Sequence, residues 1–245
     1  MSDSVLLNEI HVIENFLKEK IGKKRAVIGI SGGIDSSLVL TLLSNSIPVS
    51  NIMPFFLPEK RTPESDFRDV ETLCKSLSIP YETIFIDPIS ESFKKVLKPP
   101  RRELDGNIKA RVRMTILYEK ANENDGLVIG TTNYSEYMTG YFTKYGDGAC
   151  DIEPILHLKK SDVRKLAALM RVPESILSKK PSAGLWEGQS DEEEMGITYD
   201  EIDRILSLMD SGKTEDNDTY RKVEEMVRVS FHKRIQPENL LSQRK

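Results

Sequence analysis

The chain has 245 residues, of which 38% are apolar and 30% are charged, and its formal net charge is −4. This length and composition fit one globular α/β domain, and the acidic balance argues against a constitutive nucleic-acid binder. The two cysteines, Cys74 and Cys150, lie far apart, so neither a disulfide framework nor a structural zinc site is expected. We expect a cytoplasmic protein with no signal peptide and no membrane partner.

Strands and helices alternate in the first half of the sequence. The first helix places five apolar residues on one face: Leu6, Ile10, Ile13, Leu17 and Ile21. Predicted strands cover residues 25–30, 47–57, 81–86 and 126–130. Predicted helices follow the first strand to residue 44 and then cover 64–77, 89–97 and 107–122; Thr62 and Pro63 suit the start of the second of these.

The second half of the sequence is predominantly helical. Predicted helices cover residues 161–170 and 219–231, and a capping box, Thr198-Tyr199-Asp200-Glu201, begins another between them. Residues 178–196 are predicted to be a mobile acidic loop. We find no dividing linker, so residues 1–245 are predicted to form a single domain.

Alternation with short loops predicts an α/β fold with a doubly wound, mostly parallel sheet, helices on both faces and extra C-terminal helices. Ligands of such sheets bind at the carboxyl ends of the strands. The segment that begins at Ser31, residues 55–58 and Gly130-Thr131-Thr132 all follow predicted strands. They are therefore predicted to converge on one site.

One segment carries more chemical information than the others. It joins the first strand to a helix and reads Gly29-Ile30-Ser31-Gly32-Gly33-Ile34-Asp35-Ser36-Ser37. Backbone N–H groups, serine hydroxyls and the positive helix end favour a bound phosphate, although the Walker A lysine is missing. A plain connection would not need this polarity. Asp35 would repel a triphosphate unless a cation such as Mg²⁺ lay between them.

Three weaker signals follow in the sequence. Arg111 shares a helical stripe with apolar residues and is predicted to point inward, either pairing with a carboxylate or facing an anionic ligand. Glu136 is either an ordinary helix-start residue or a second carboxylate for a cation. Residues 140–148 hold three aromatic side chains, which suits stacking on a planar ring as well as a loop of turns.

Taken together, these stretches resemble the ammonia-dependent NAD synthetases of the ATP pyrophosphatase superfamily. The resemblance lies in Gly29–Ser37, in Gly130-Thr131 and in residues 106–114, 139–148, 179–183, 196–203 and 232–234, in the family's order. It implies an adenine nucleotide alpha hydrolase-like fold. It also implies conversion of nicotinic acid adenine dinucleotide (deamido-NAD), ATP and ammonia into NAD, through an adenylated nicotinate carboxylate, with release of pyrophosphate and AMP.

The resemblance also assigns residues. ATP would contact Gly29, Ile30, Ser31, Gly32, Gly33, Ile34, Asp35, Ser36, Thr131, Lys160 and Ser182. Deamido-NAD would contact Arg111, Lys144, Asp151, His232 and Lys233. Asp35 and Glu136 would hold Mg²⁺. Asp35, Asp151 and Lys160 would be catalytic, with Asp151 placed to receive or orient ammonium.

The resemblance further implies a homodimer whose dinucleotide site uses both subunits, and the use of free ammonia or ammonia from a separate subunit. Thr132-Asn133 and residues 184–188 depart from the commoner family pattern, and Ser182 replaces a threonine. Two alternatives stay open. One is another adenylating pyrophosphatase that acts on tRNA, and the other is a non-catalytic nucleotide-binding regulator.

Overall fold

The computed structural model describes residues 3–99, 101–182, 184, 190–237 and 239–240. In this part of the chain four parallel strands form a sheet with the order β3-β2-β1-β4. The strands are β1 Arg25–Ile30, β2 Ile52–Phe56, β3 Glu82–Thr83 and β4 Gly126–Ile129. The helices are α1 Asp3–Ile21, α2 Ile34–Ser46, α3 Glu64–Leu77, α4 Asp87–Leu97, α5 Arg102–Glu123, α6 Tyr134–Thr139, α7 Lys160–Leu169, α8 Glu174–Leu177, α9 Asp191–Met195, α10 Tyr199–Asp210 and α11 Asp218–Val229.

Both faces of the sheet are covered, as predicted. Ile28 and Ile30 of β1 belong to an apolar core shared with α1, α2 and α7. Val27 points to the other face and packs with residues of β4 and α5. Because side chains alternate along a strand, β1 contributes to two separate cores, which is the arrangement of a doubly wound sheet.

The predicted boundaries of two strands were wrong. Residues 47–57 contain a 3-10 turn, Val49–Asn51, before β2 begins, because the backbone N–H of Asn51 turns back to the Pro48 carbonyl oxygen at 2.8 Å. At residues 81–86 only Glu82–Thr83 form a ladder. The backbone beyond them still donates hydrogen bonds from Ile84 to Phe56 and from Ile86 to Pro58.

The helical predictions hold better, with local corrections. The five apolar residues of the predicted face of α1 are all buried, namely Leu6, Ile10, Ile13, Leu17 and Ile21. The capping box at Thr198 is present. Thr62 does not cap α3; its hydroxyl accepts a hydrogen bond from the Glu59 backbone at 2.9 Å. The expectation of a loop over residues 178–196 is wrong for α9, while residues 183 and 185–189 lie outside the described part.

The last third of the chain packs a second apolar core beside the carboxyl ends of the strands. Tyr199, Ile202 and Ile205 of α10 are fully buried there with Val223 of α11. A single parallel bridge between Ile129 and Ile152 holds the following segment against β4. The C-terminal helices therefore border the edge where ligands of such sheets bind. No helix among the described residues is long and apolar enough to cross a bilayer.

Candidate active site

The loop between β1 and α2 is shaped by glycine and by its own hydroxyl groups. Gly32 has a φ of +76°, and a Cβ built there would lie 3.1 Å from the backbone oxygen of Asp66. The backbone N–H of Gly33 donates to Ser31 Oγ at 3.2 Å, and that of Ser31 donates to Ser36 Oγ at 3.3 Å. These contacts gather N–H and hydroxyl groups at the N-terminus of α2, where an anion is stabilised.

Two carboxylates and one ammonium group meet beside this loop. Lys160 Nζ lies 2.6 Å from Asp35 Oδ2 and 2.9 Å from Glu136 Oε1. The side chain of Lys160 is only 3% exposed, while those of Asp35 and Glu136 are 18% and 16% exposed. Three elements, α2, α6 and α7, thus bring predicted site residues into direct contact.

Charge pairing keeps the Lys160 ammonium ionised. Burial disfavours the Lys160 ammonium, but attraction to Asp35 and Glu136 outweighs it, and the pKa of Lys160 lies above its usual value. Burial raises the pKa of Glu136 to about 7 despite the neighbouring lysine, and the negative charge of Asp35 adds to this rise. One ammonium cannot fully compensate two buried carboxylates, so the cluster favours further positive charge.

Asn133 is a site residue that the sequence interpretation missed. Its Nδ2 donates to Asp35 Oδ1 at 2.9 Å, and its Oδ1 accepts from the backbone of Glu136 at 3.0 Å as the cap of α6. Glu136 completes the capping box through Oε2, while its Oε1 accepts from Lys160. The interpretation of Glu136 as a helix-start residue is therefore confirmed, and its role as a second carboxylate for a metal cation stays a prediction.

A buried network behind the cluster fixes where α7 begins. Ser135 Oγ donates to Asp203 Oδ1 and accepts from the backbone N–H of Lys160 at 3.0 Å. The other oxygen of Asp203 accepts from the backbone of Ser161 at 2.8 Å. Tyr199 adds a hydroxyl that lies 3.4 Å from Glu136 Oε1 and 3.3 Å from Asp191 Oδ2. Asp203 of α10 thus helps to orient Lys160 through the backbone of the first turn of α7.

A second group of predicted residues gathers around a neighbouring cavity of about 250 Å³. Lys144 and Lys233 line it together with Phe142, and Lys144 Nζ contacts the His232 carbonyl oxygen. Lys233 Nζ donates to the carbonyl oxygens of Gly140 and Phe142, at 2.7 and 2.8 Å. The Phe142 ring stacks on Tyr137 rather than standing free, with ring centroids 6.1 Å apart.

Arg111 does not point inward as predicted. It is exposed, and its Nη2 donates to the carbonyl oxygen of Lys144 at 3.2 Å. The covered face of α5 instead includes Ala110 and Lys109, whose Nζ pairs with Glu59 Oε1 at 2.9 Å. A Cβ built on Gly146 would lie 3.0 Å from Ala110 Cβ, so the loop that contains Gly146 packs on the covered face of α5. Arg111 lies beside this face and is exposed.

Three predicted site residues remain, and they are Asp151, Thr131 and Ser182. Asp151 is exposed, and its Oδ2 accepts from the backbone N–H of Val128 at 2.8 Å. Thr131 is half-buried just beyond β4. Ser182 is exposed after α8, and its hydroxyl accepts from the Gly184 backbone at 3.2 Å.

Glu153 is a second group that the sequence interpretation left without a role. It lines the cavity, and a Cβ built on Gly130 would lie 2.4 Å from its carboxyl carbon. Burial raises the pKa of Glu153 to about 7, and its Oε2 has no hydrogen-bond partner among the described residues. In the sequence, only the glycine at position 130 could have indicated this close approach of Glu153 to the backbone.

The parallel sheet, with the β1–α2 loop and the Asp35–Glu136–Lys160 cluster at the carboxyl ends of its strands, has the architecture of a nucleotide-binding α/β protein of the ATP pyrophosphatase kind. The profile of the NAD synthase family matches residues 9–237. The chain belongs to the NAD synthase family.

Named relatives agree with this assignment. The NH(3)-dependent NAD(+) synthetase of Thermoplasma acidophilum is 50% identical over 96% of this chain and 98% of its own length. That of Thermococcus kodakarensis is 44% identical over 93% of this chain and 94% of its own. Among solved structures, the NH3-dependent NAD synthetase of Campylobacter jejuni superposes with a TM-score of 0.83 at 29% identity, over 96% of this chain and 99% of that one. The NMN synthetase of Francisella tularensis gives a TM-score of 0.87 at 37% identity, over 96% of this chain and 98% of that one.

Proposed function

We propose that this enzyme amidates deamido-NAD with ammonia at the expense of ATP, and releases NAD, AMP and pyrophosphate. The observation that carries the proposal is the contact of Lys160 with both Asp35 and Glu136 beside the phosphate loop. A carboxylate is a poor electrophile, and adenylation of the nicotinate carboxylate provides a leaving group that ammonia can displace. The match to the NAD synthase family extends over nearly the whole chain, and this supports the same reaction.

The phosphate loop, Gly29 to Ser36, would bind the ATP phosphates through backbone N–H groups and the hydroxyls of Ser31 and Ser36. Lys160 would neutralise charge that develops on the leaving pyrophosphate, since its ammonium is buried and already oriented. Thr131 and Ser182 would add hydroxyl contacts to ATP. We expect no covalent enzyme intermediate, because ammonia attacks the adenylate directly.

Mg²⁺ fits the donor set of this cluster. Asp35 and Glu136 supply carboxylate oxygens, the ligands that Mg²⁺ prefers, and phosphate oxygens would complete its coordination. When both carboxylates are ionised, the cluster has a formal charge of −1 even with Lys160 present. This negative charge favours the binding of one more cation. When bound, Mg²⁺ would screen the triphosphate and stabilise the departing pyrophosphate.

Deamido-NAD would lie against the second group of residues. Lys144 and Lys233 offer positive charge at the cavity. Arg111 and His232 are joined to Lys144 by hydrogen bonds. Cations in a cleft of this kind suit the phosphates and the nicotinate carboxylate of the dinucleotide. Asp151 would receive or orient ammonium at the border of this site, close to β4.

A homodimer in the cytoplasm is part of the proposal. Helix α4 supports it, because this helix exposes a row of apolar side chains at helical spacing; they are Ile89, Phe93, Val96 and Leu97. Such a contiguous apolar face is typical of an interface between subunits.

Pyrophosphate release from ATP tests the function directly. Purified enzyme is incubated with ATP, Mg²⁺ and ammonium, with and without deamido-NAD, and the products are identified by mass. We expect release to require deamido-NAD and to accompany formation of NAD. Pyrophosphate release that neither requires deamido-NAD nor accompanies NAD formation would support the ATP site but would contradict deamido-NAD as the second substrate.

Nicotinic acid mononucleotide is a second candidate substrate. The similarity to the Francisella tularensis NMN synthetase favours including it, since that structure superposes over nearly the whole chain. The same assay with the mononucleotide separates the two. We expect a higher kcat/KM for deamido-NAD, and the reverse order would assign the mononucleotide as the substrate.

A further inference from the structure

Lys179 is a cationic residue that the reaction described above does not use. It follows α8, and its Nζ lies 2.6 Å from Asp66 Oδ1 and 2.8 Å from Asp69 Oδ2. The same atom donates to the carbonyl oxygen of Gly32 in the phosphate loop at 3.3 Å. One ammonium group therefore joins α3, the phosphate loop and the segment that leads to Ser182.

The two carboxylates that Lys179 pairs with are close to the phosphate loop. The backbone oxygen of Asp66 limits the space at Gly32, and a Cβ built on Gly32 would lie 3.4 Å from Asp69 Cβ. Asp66 and Asp69 are 15% and 8% exposed, so water screens them poorly. Unpaired, they would repel any polyphosphate in the loop.

We propose that Lys179 is a positioning residue that neutralises Asp66 and Asp69 and thereby lets the phosphate loop accept a polyphosphate. The carboxylates and the ammonium sum to a formal charge of −1. Removing the lysine charge makes the sum −2 at the border of an anion site. Ser175 Oγ also donates to Asp69 at 2.7 Å, but a neutral hydroxyl cannot replace the lost charge.

This inference rests on the proposed function only in that the loop binds ATP. Binding of inorganic pyrophosphate, measured by calorimetry with Mg²⁺ and without deamido-NAD, therefore tests it separately. We expect Lys179→Met to weaken pyrophosphate binding and to raise KM for ATP by about tenfold, with a smaller change in kcat.

Charge restoration separates electrostatic neutralisation from simple tethering. Lys179→Met combined with Asp69→Asn returns the formal sum to −1 without restoring the contact with Gly32. We expect this double variant and Lys179→Arg to recover most of the affinity. The neighbouring Lys180 is exposed, so Lys180→Met is a matched control that should bind like the wild type.

Two outcomes would overturn the inference: unchanged pyrophosphate affinity in Lys179→Met, or no recovery in the charge-restored double variant. A wild-type protein that binds neither ATP nor pyrophosphate would overturn it together with the proposed function. A wild-type protein that binds pyrophosphate but makes no amidated product would remove the proposed function alone, and the affinities of the variants would still decide this inference.

Discussion

Lys160 Nζ lies 2.6 Å from Asp35 Oδ2, although 125 residues separate the two in the chain. The contact joins the start of α7 to the first turn of α2 across the carboxyl edge of the sheet. It makes the stability of the fold depend on the residues that we assign to the chemistry.

Replacing Lys160 tests this dependence. Lys160→Met would leave the largely buried Asp35 and Glu136 without their shared cation, so we expect the free energy of unfolding to fall by about 3–5 kcal/mol and NAD synthesis to be lost. Urea unfolding followed by circular dichroism measures the first effect. Lys165→Met, on the exposed side of the same helix, is the control and should change stability by less than about 0.5 kcal/mol. Equal stability of the two variants would contradict the role of the pairing.

Asn133→Asp tests the contact with Asp35. Aspartate can still cap α6, so the helix should be retained. It places a carboxylate where the amide donated to Asp35 at 2.9 Å, and the like charges should repel. We expect kcat/KM for ATP to fall by about ten- to a hundredfold, with an unchanged far-ultraviolet circular dichroism spectrum. Asn133→Ser keeps a cap without the added charge and should fall less; an equal loss would assign the effect to the missing amide alone.

Burial of Glu153 leads us to expect that the free energy of unfolding depends on pH. Because burial raises its pKa from 4.5 to about 7, the folded protein favours the protonated acid. Its contribution to stability is complete below pH 4.5 and is lost as the pH rises through about 7. Glu153→Gln mimics the protonated form, so its stability advantage over the wild type should grow over this range, by up to about 3 kcal/mol.

Thermal unfolding of the two proteins between pH 4 and 8 measures this advantage. The exposed Glu174→Gln serves as the control and should follow the wild type at every pH. An advantage of Glu153→Gln that stays constant with pH would show that folding does not shift the pKa of the wild-type carboxyl.

The apolar face of α4 predicts how the subunits associate. Phe93 is 48% exposed in the single chain, so Phe93→Glu should leave the monomer folded and weaken a dimer by about a hundredfold. Light scattering over a dilution series measures the association. Ser92→Glu places the same charge on a neighbouring exposed position and should not dissociate the dimer. A dimer that survives Phe93→Glu would mean that another surface forms the interface.

Local sequence patterns predicted the elements around β1 well, because each depends on residues that are close in the chain. The phosphate loop follows from glycine and serine between a strand and a helix, and α1 follows from the spacing of its apolar residues. The boundary of β2 was predicted less well, since apolar residues on both sides of Pro48 favour a strand equally.

The errors at the site have a different origin. The stripe on α5 has the correct period, but a period does not say which side of the helix is covered. The small residues Ala110 and Gly146 determine which side is covered, because they let a distant loop approach α5 closely. Arg111 remains exposed beside that loop, where it donates to the Lys144 carbonyl oxygen. Asn133 was missed for a related reason: its partner Asp35 is 98 residues away, and no local pattern reports that distance.

The Ser135–Asp203 contact has a consequence for synthesis on the ribosome. A nascent chain that has emerged only through β4 already contains the phosphate loop and Asp35, but not Lys160 or the α10 carboxylate that positions the first turn of α7. Contacts between residues this far apart form late in folding. An unfinished chain therefore cannot assemble the cluster, and ATP would not be turned over before most of the protein has been made.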